Sequence, residues 1–215
     1  VNTLTHNRLG SIGRPVDGVQ VRIVETGELQ TRSQCVMLGY WENPEATKAA
    51  FTEDGWLRTG DMAKMDRDGF LYITGRLKDI IVLSNGEKAP PVDMENAITL
   101  DPLFEQAMVL GEGRPYLAAV VVINPQSWRE LAAGLHADPE SETELQRLDI
   151  KSKLLERLAD NLKQFPGYAQ IRLVHFVLKP WTVEEGLLTP TLKIKRNKIL
   201  EKYSAEIEDL YSSSS

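Results

Sequence analysis

The chain has 215 residues, of which 42% are hydrophobic and 26% are charged. This composition is ordinary for a folded globular protein and excludes an intrinsically disordered one. The 25 basic and 31 acidic side chains leave a formal net charge of −6, which argues against a dedicated nucleic-acid-binding protein. A single cysteine, Cys35, excludes an internal disulfide and suits a reducing compartment.

The sequence offers no segment for crossing or entering a membrane. Its longest uninterrupted apolar run, Leu117 to Ile123, is far too short to span a bilayer. The polar residues after Val1 do not form a secretory signal. Because the first residue is not methionine, the chain is either a processed protein or an excised fragment, and the sequence alone leaves both open.

Residues 1–75 are expected to form short strands and turns. Val19, Val21 and Ile23 alternate with polar residues, as in a half-buried strand. Further strands are predicted at Leu29–Arg32 and Phe70–Ile73. A short helix is predicted to begin after Asn43, with Asn as the cap and Pro44 in the first turn, and to continue to Phe51.

From residue 76 onward, strands alternate with helices, which predicts a compact α/β or α+β domain. Strands are expected at residues 79–83, 107–110, 116–123 and 171–178. Helices are expected at residues 90–100 and 125–135, in one longer segment after Asp138-Pro139, and in one segment after Lys195. The longer helix is expected to place Leu145, Leu148, Leu155, Leu158 and Leu162 on one face, and the tail from Ser212 to Ser215 is expected to fray.

Two short segments have residue types suited to a nucleotide. Thr59-Gly60-Asp61 combines a glycine, which lets a ligand approach the backbone, with a carboxylate that can accept hydrogen bonds from ribose hydroxyls. On its own, the segment is better explained as a turn with Asp61 capping a strand. In Gly75–Asp79, Arg76 offers a planar fork for phosphate or hydroxyl oxygens, but on its own this segment is better explained as a solvated interdomain linker.

A third segment, residues 189–196, places several basic residues before the last helix. A nucleic-acid patch is disfavoured here because no aromatic side chains are interleaved with the basic ones. Lys193 precedes the helix in a loop-like setting, where a mobile ammonium could neutralise a developing phosphate charge. On its own, Lys193 is better explained as an ordinary surface lysine.

The three segments, in this order, resemble the C-terminal part of the AMP-forming acyl-CoA synthetases of the adenylate-forming superfamily. Further similarity comes from Gly27-Glu28-Leu29, from Gly39-Tyr40 to Thr47, from Gly55-Trp56 before Thr59, and from Phe165 to Tyr168. The stretches Ile80–Lys88 and Thr189–Arg196 are most similar to long-chain fatty acid–CoA ligases. The resemblance extends over nearly the whole chain.

The resemblance implies a role for five residues. Asp61 would hold the ribose hydroxyls of ATP and of acyl-AMP, and Arg76 would contact the ribose and phosphate side of the nucleotide. Lys193 would be the catalytic lysine, bridging the α-phosphate and the substrate carboxylate. Lys78 would be the hinge of a rotating C-terminal domain, and Gly86 would line the passage for the pantetheine arm of CoA. No metal-binding residue is assigned in this chain.

The sequence departs from the family pattern at two places. Many relatives have Ser-Gly before the catalytic lysine, whereas Thr191 and Leu192 stand there in this chain, which leaves Lys195 as a second candidate. The family's Ser/Thr/Gly-rich phosphate loop and its Tyr-Gly-x-Thr-Glu segment are absent. Residues 1–75 would therefore be the β-rich end of a large adenylating domain, and residues 76–215 the mobile C-terminal domain, a small α/β domain with a short central sheet flanked by helices. The fold class expected for the whole is α+β.

The implied whole enzyme activates a fatty acid as acyl-AMP with ATP and Mg²⁺ and transfers the acyl group to CoA. The chain on its own is expected to be inactive. Two alternatives are a fatty acyl-AMP or acyl-carrier-protein ligase, and a non-catalytic module that binds a nucleotide or a partner protein. The expected location is the cytoplasm. Attachment to a membrane surface stays open, as do oligomeric state and acyl chain length.

Overall fold

A computed structural model describes residues 1–212, which fold into two compact units, residues 1–80 and residues 81–212. The units divide a few residues after the predicted boundary at residue 75. The α+β class is confirmed, because antiparallel strands and helices are both present. Ser212 ends the last helix, and the remainder of the tail expected to fray, residues 213–215, lies outside the described residues.

The first unit contains a four-stranded antiparallel sheet in the order β1-β2-β3-β4. These strands are β1 (Gln20–Ile23), β2 (Glu28–Arg32), β3 (Leu57–Met65) and β4 (Leu71–Arg76). The alternation predicted for the first strand is confirmed, since Val21 and Ile23 pack against a small core of Leu29, Ala63 and Leu71. Helix α1 (Pro44–Ala50) begins as predicted, with the Asn43 side chain accepting the Ala46 N–H at 2.9 Å.

The longest strand of the unit, β3, was not predicted. Its sequence contains Gly60 and several polar residues and shows no period-2 alternation, so its pairing with β2 and β4 is what defines it. Thr59-Gly60-Asp61 therefore lies within a strand, and the simpler interpretation of this segment as a turn is wrong. After β4, residues Leu77–Asp79 form one turn of 3₁₀ helix.

The second unit has a three-stranded sheet in the order β7-β8-β9 and a small two-stranded ribbon. The ribbon consists of β5 (Ile81–Val82) and β6 (Lys88–Ala89). The main strands are β7 (Phe104–Leu110), β8 (Leu117–Ile123) and β9 (Ile171–Val177). Strand β8 runs antiparallel to β7 and parallel to β9. The strand predicted at residues 79–83 is thus reduced to Ile81–Val82.

Helices cover both faces of the main sheet, so every residue of β8 is buried, as its unbroken apolar sequence suggests for a central strand. One face packs against α2 (Pro91–Ile98), α3 (Pro125–Leu135) and α5 (Leu148–Asn161). The other face packs against α6 (Arg196–Lys202) and α7 (Ser204–Ser212). The short helix α4 (Glu142–Leu145) precedes α5.

Two predicted helices are each divided in two. The helix expected after Asp138 is interrupted between α4 and α5, and Leu148 is 84% exposed. Leu148 is exposed because Ile150, Leu154 and Leu158, spaced four residues apart, form the buried face of α5. The last helix is interrupted at Tyr203 between α6 and α7, although Ile199, Tyr203, Ile207 and Leu210 are buried as predicted.

Candidate functional site

The segment carrying Asp61 is a distorted part of strand β3. The register shifts between Glu28 and Gln30 on one side of the strand and between Met62 and Ala63 on the other. Gly60 has a φ of +69°, a left-handed conformation that glycine adopts without steric cost. The Thr59 hydroxyl donates to the carbonyl of Leu29 at 2.5 Å and accepts the N–H of Asp61 at 3.1 Å. The distortion fixes the backbone from which Asp61 projects.

Two buried polar side chains on β2 support this distortion. Glu28 and Gln30 are each only 3% exposed. The Glu28 carboxylate accepts the Gly60 N–H at 3.3 Å and a Gln30 Nε2 hydrogen at 2.9 Å. Gln30 in turn accepts from Nε of Arg22 at 2.8 Å. The sequence did not predict a role for these two residues; the signal it offers is a pair of polar residues, two positions apart on a strand, beside Gly27.

Asp61 and Arg76 are brought together by the pairing of β3 with β4, where they are direct cross-strand partners. The Nε of Arg76 lies 3.2 Å from Oδ1 of Asp61, and the two side chains are 67% and 29% exposed, respectively. An ion pair this exposed is worth at most about 1 kcal/mol. A ligand with hydroxyl and phosphate groups could therefore separate the two side chains at little cost.

Lys78 and Gly86 lie in the chain segments that connect the two units and begin the second. Lys78 is exposed in the 3₁₀ turn Leu77–Asp79. Gly86 is exposed at the tip of the turn between β5 and β6, and its N–H donates to the carbonyl of Leu83 at 2.9 Å. Gly86 has a φ of +86°, and a side chain added there would meet no atom within 4 Å. The turn therefore presents bare backbone to its surroundings.

Lys193 is exposed at the end of a closed loop before α6. The carbonyl of Lys193 accepts the Thr189 N–H at 2.8 Å, and the Lys193 N–H donates to the Thr189 hydroxyl at 3.0 Å. Below this turn, Leu188 pairs with Ile194, and the Lys195 N–H donates to the carbonyl of Leu187 at 2.9 Å. Residues 187–195 thus form a hairpin-like loop, named here the lysine hairpin, with the Lys193 side chain directed away from a fixed backbone.

Leu192, which precedes Lys193, has a φ of +60° and is 71% exposed. A left-handed conformation costs a non-glycine residue about 1–2 kcal/mol. This is the position at which the family pattern has glycine. The chain therefore keeps the backbone conformation that suits glycine while carrying a leucine.

Within each unit, the predicted residues can be placed with respect to their neighbours. Asp61, Arg76 and Lys78 belong to the first unit, and Gly86 and Lys193 to the second. Asp61 and Arg76 are in contact.

Among residues 1–212, no three His, Cys, Asp or Glu side chains are grouped so as to hold a metal ion. Within the same range, no helix combines the length and the apolar composition needed to cross a membrane.

Comparison with known proteins identifies relatives along the whole chain. A family model described as the C-terminal domain of AMP-binding enzymes matches residues 78–215. The long-chain-fatty-acid–CoA ligase FadD15 of Mycobacterium tuberculosis is 37% identical over 216 residues, covering 95% of this chain and 34% of the relative. The chloroplastic long-chain-fatty-acid–[acyl-carrier-protein] ligase AEE15 of Arabidopsis thaliana is 33% identical, covering 98% of this chain and 30% of the relative.

A solved structure gives the same picture. The A domain of a carboxylic acid reductase from Segniliparus rugosus, in complex with AMP and a co-purified carboxylic acid, matches with a TM-score of 0.73 and 26% identity. The match covers 94% of this chain and 32% of that one. The chain therefore spans about a third of the length of the proteins it matches.

Proposed function

We propose that this chain, which belongs to the AMP-binding enzyme C-terminal domain family of the adenylate-forming superfamily, is the C-terminal part of an ATP-dependent, AMP-forming fatty acid–CoA ligase. The first unit would be the end of the large adenylating domain, and the second unit the mobile C-terminal domain. The similarity to FadD15, which is named a long-chain-fatty-acid–CoA ligase, supports this assignment.

In the first half-reaction, the fatty acid carboxylate attacks the α-phosphorus of ATP, forming acyl-AMP and releasing pyrophosphate. The ammonium group of Lys193 would lie between the carboxylate and the α-phosphate and neutralise the negative charge as the oxygens approach each other. An exposed lysine on a fixed hairpin is suited to this task. The exposed stem can move, while the two bonds to Thr189 hold its base.

Asp61 and Arg76 would hold the nucleotide in both half-reactions. The carboxylate of Asp61 accepts hydrogen bonds from the ribose hydroxyls, and the guanidinium of Arg76 donates to ribose and phosphate oxygens. Their adjacent positions on β3 and β4 fit a ligand that carries both kinds of group. Mg²⁺ would enter with ATP as part of the substrate, and no described residue is assigned to it.

In the second half-reaction, the CoA thiol attacks the acyl carbon and AMP leaves. The C-terminal domain would rotate about Lys78, withdrawing Lys193 and presenting the turn at Gly86 to the pantetheine passage. The absence of any atom within 4 Å of a side chain at Gly86 is consistent with a backbone surface that a ligand passes closely.

The observation that carries the proposal is that the family match begins at Lys78 and includes a hairpin that presents Lys193 to solvent. The test is to assay the full-length protein with palmitate, ATP and CoA. The expected products are acyl-CoA, AMP and pyrophosphate, whereas the 215-residue chain alone forms none. Release of ADP in place of AMP, or acyl-CoA formation by the chain alone, would contradict the proposal.

A second candidate has acyl carrier protein as the thiol acceptor. It is favoured by the similarity to the chloroplastic ligase whose name specifies that acceptor. Both candidates share the first half-reaction and the roles of Asp61, Arg76 and Lys193. Comparing CoA with a phosphopantetheinylated carrier protein as the acceptor in the same assay distinguishes them.

A further inference from the structure

A partly buried ion pair lies immediately after the lysine hairpin. Arg196, the first residue of α6, donates from Nη1 to Oε1 of Glu95 at 2.8 Å and from Nη2 to the backbone carbonyl of Val109. The same Glu95 oxygen accepts the Val109 N–H at 2.8 Å. Glu95 belongs to α2 and Val109 to β7, so one guanidinium joins the start of α6 to two elements of the second unit's core.

The burial of this pair distinguishes it from ion pairs at the surface. The side chains of Arg196 and Glu95 are 26% and 11% exposed, and Val109 is fully buried. By contrast, Arg129 and Glu140 on the same unit are 56% and 72% exposed. Charge-assisted hydrogen bonds in a water-poor setting hold a defined geometry, and removing one partner leaves a buried charge uncompensated. Arg196 is therefore a fixed attachment point.

The attachment point lies at the base of the lysine hairpin. Lys195, next to Arg196, closes the hairpin by donating to Leu187 at 2.9 Å. Only Ile194 separates Lys195 from Lys193. Without the guanidinium contacts, the base of the hairpin would still be held by the burial of Leu187 and Leu188, by the packing of Ile194, and by the N–H groups of Leu187 and Leu188 that donate to the carbonyl of Thr182.

We propose that Arg196 and Glu95 are positioning residues for Lys193, and this inference rests on the function proposed above. The two side chains do not touch the substrates. They fix the base of the hairpin on α2 and β7, so that the flexible stem of Lys193 starts from a defined place. A displacement of about 1 Å in a catalytic group can cost about 10²-fold in rate, so this anchoring is required for adenylation.

The catalytic test uses the full-length ligase with Arg196→Met. ATP–pyrophosphate exchange dependent on fatty acid should fall by about 10²-fold. Thioester formation from supplied acyl-AMP should stay within about a factor of two, because Lys193 takes no part in it. Arg196→Lys, which keeps the charge opposite Glu95, should recover part of the exchange rate.

The matched control is Arg157→Met. Arg157 forms a two-bond ion pair with Asp101 on the same unit, at 2.6 and 2.7 Å, with Asp101 11% exposed. Arg157→Met should lower the free energy of unfolding by an amount similar to that of Arg196→Met, and should leave the rates of both half-reactions unchanged. If Arg196→Met slows both half-reactions equally, or no more than Arg157→Met does, the role of Arg196 is only structural and the inference is wrong.

A second measurement does not depend on activity. In the 215-residue chain, Arg196→Met should speed hydrogen exchange of the Thr189 and Lys193 amides, whereas Arg157→Met should not. If hydrogen exchange of these two amides is unchanged in Arg196→Met, the inference is overturned. A separate assay tests the function itself: if Lys193→Ala leaves ATP–pyrophosphate exchange intact in the full-length enzyme, the proposed function fails. If Lys193→Ala abolishes it and Arg196→Met does not slow it, the function stands and the positioning role fails.

Discussion

Replacing Glu28 by alanine tests whether the buried polar pair on β2 maintains the distorted strand that carries Asp61. The substitution removes the acceptor for the Gly60 N–H at 3.3 Å and for Gln30 Nε2 at 2.9 Å. A buried donor left without a partner costs about 1–3 kcal/mol. Because Gly60 is only partly buried, its cost lies at the lower end. The expected loss is about 2–4 kcal/mol in the free energy of opening this part of the sheet.

The assay is hydrogen exchange of the amides of Leu57–Met65 in the 215-residue chain, which reports this strand separately from the second unit. Glu25→Ala, an exposed glutamate in the turn between β1 and β2, is the matched control and should change exchange little. Glu28→Gln should lose less than Glu28→Ala, because the amide oxygen still accepts from Gly60. If Glu28→Ala and Glu25→Ala have equal effects, Glu28 does not support the Asp61 segment.

Three further outcomes are expected. In the full-length enzyme, Gly86→Ala should slow thioester formation and spare adenylation. The added methyl group would stand in the open space beside a turn with a φ of +86°, where the pantetheine arm is proposed to pass. Equal slowing of both half-reactions would refute the role assigned to Gly86. Leu192→Gly should stabilise the closed lysine hairpin by about 0.5–1 kcal/mol, since relief of the left-handed strain exceeds the entropy cost of glycine; faster exchange of the Lys193 amide would contradict this. Burial lowers the pKa of His175, although the carboxylate of Glu206 opposes the shift. The unfolded chain therefore binds a proton at this residue more readily than the folded chain does. The free energy of unfolding should consequently fall as the pH drops below about 6.5. His175→Gln should lose less stability between neutral and mildly acidic pH in urea titrations, and an equal loss would exclude His175 as the cause.

The sequence correctly predicted the elements whose formation depends on the pattern of their own residues. The strand predicted at residues 116–123 is present as β8, the central strand of the second unit. Helix α3 has the predicted bounds, with Asn124 accepting the Ser127 N–H at its start. The three chemical segments, in order, predicted the family, which the match over residues 78–215 confirms.

The features that the sequence did not predict depend on contacts between distant residues. Strand β3 has little strand character of its own and exists because β2 and β4 pair with it. Glu28 and Glu95 cannot be told apart from surface glutamates by sequence alone. Their burial depends on the fold, which places Gly60 against Glu28 and Arg196 against Glu95. The exposure of Leu148 follows from which face of α5 meets the sheet, a choice that the spacing of leucines alone did not determine.

The most direct test of the central claim is Lys193→Ala in the full-length ligase, with the two half-reactions measured separately. Fatty-acid-dependent ATP–pyrophosphate exchange should fall by about 10²–10³-fold, the usual cost of losing a preorganised charge contact in the transition state. Thioester formation from supplied acyl-AMP and CoA should be largely retained. Lys195→Ala should leave both rates near those of the unmodified enzyme. An equal loss of both half-reactions in Lys193→Ala, or retention of both, would contradict the account.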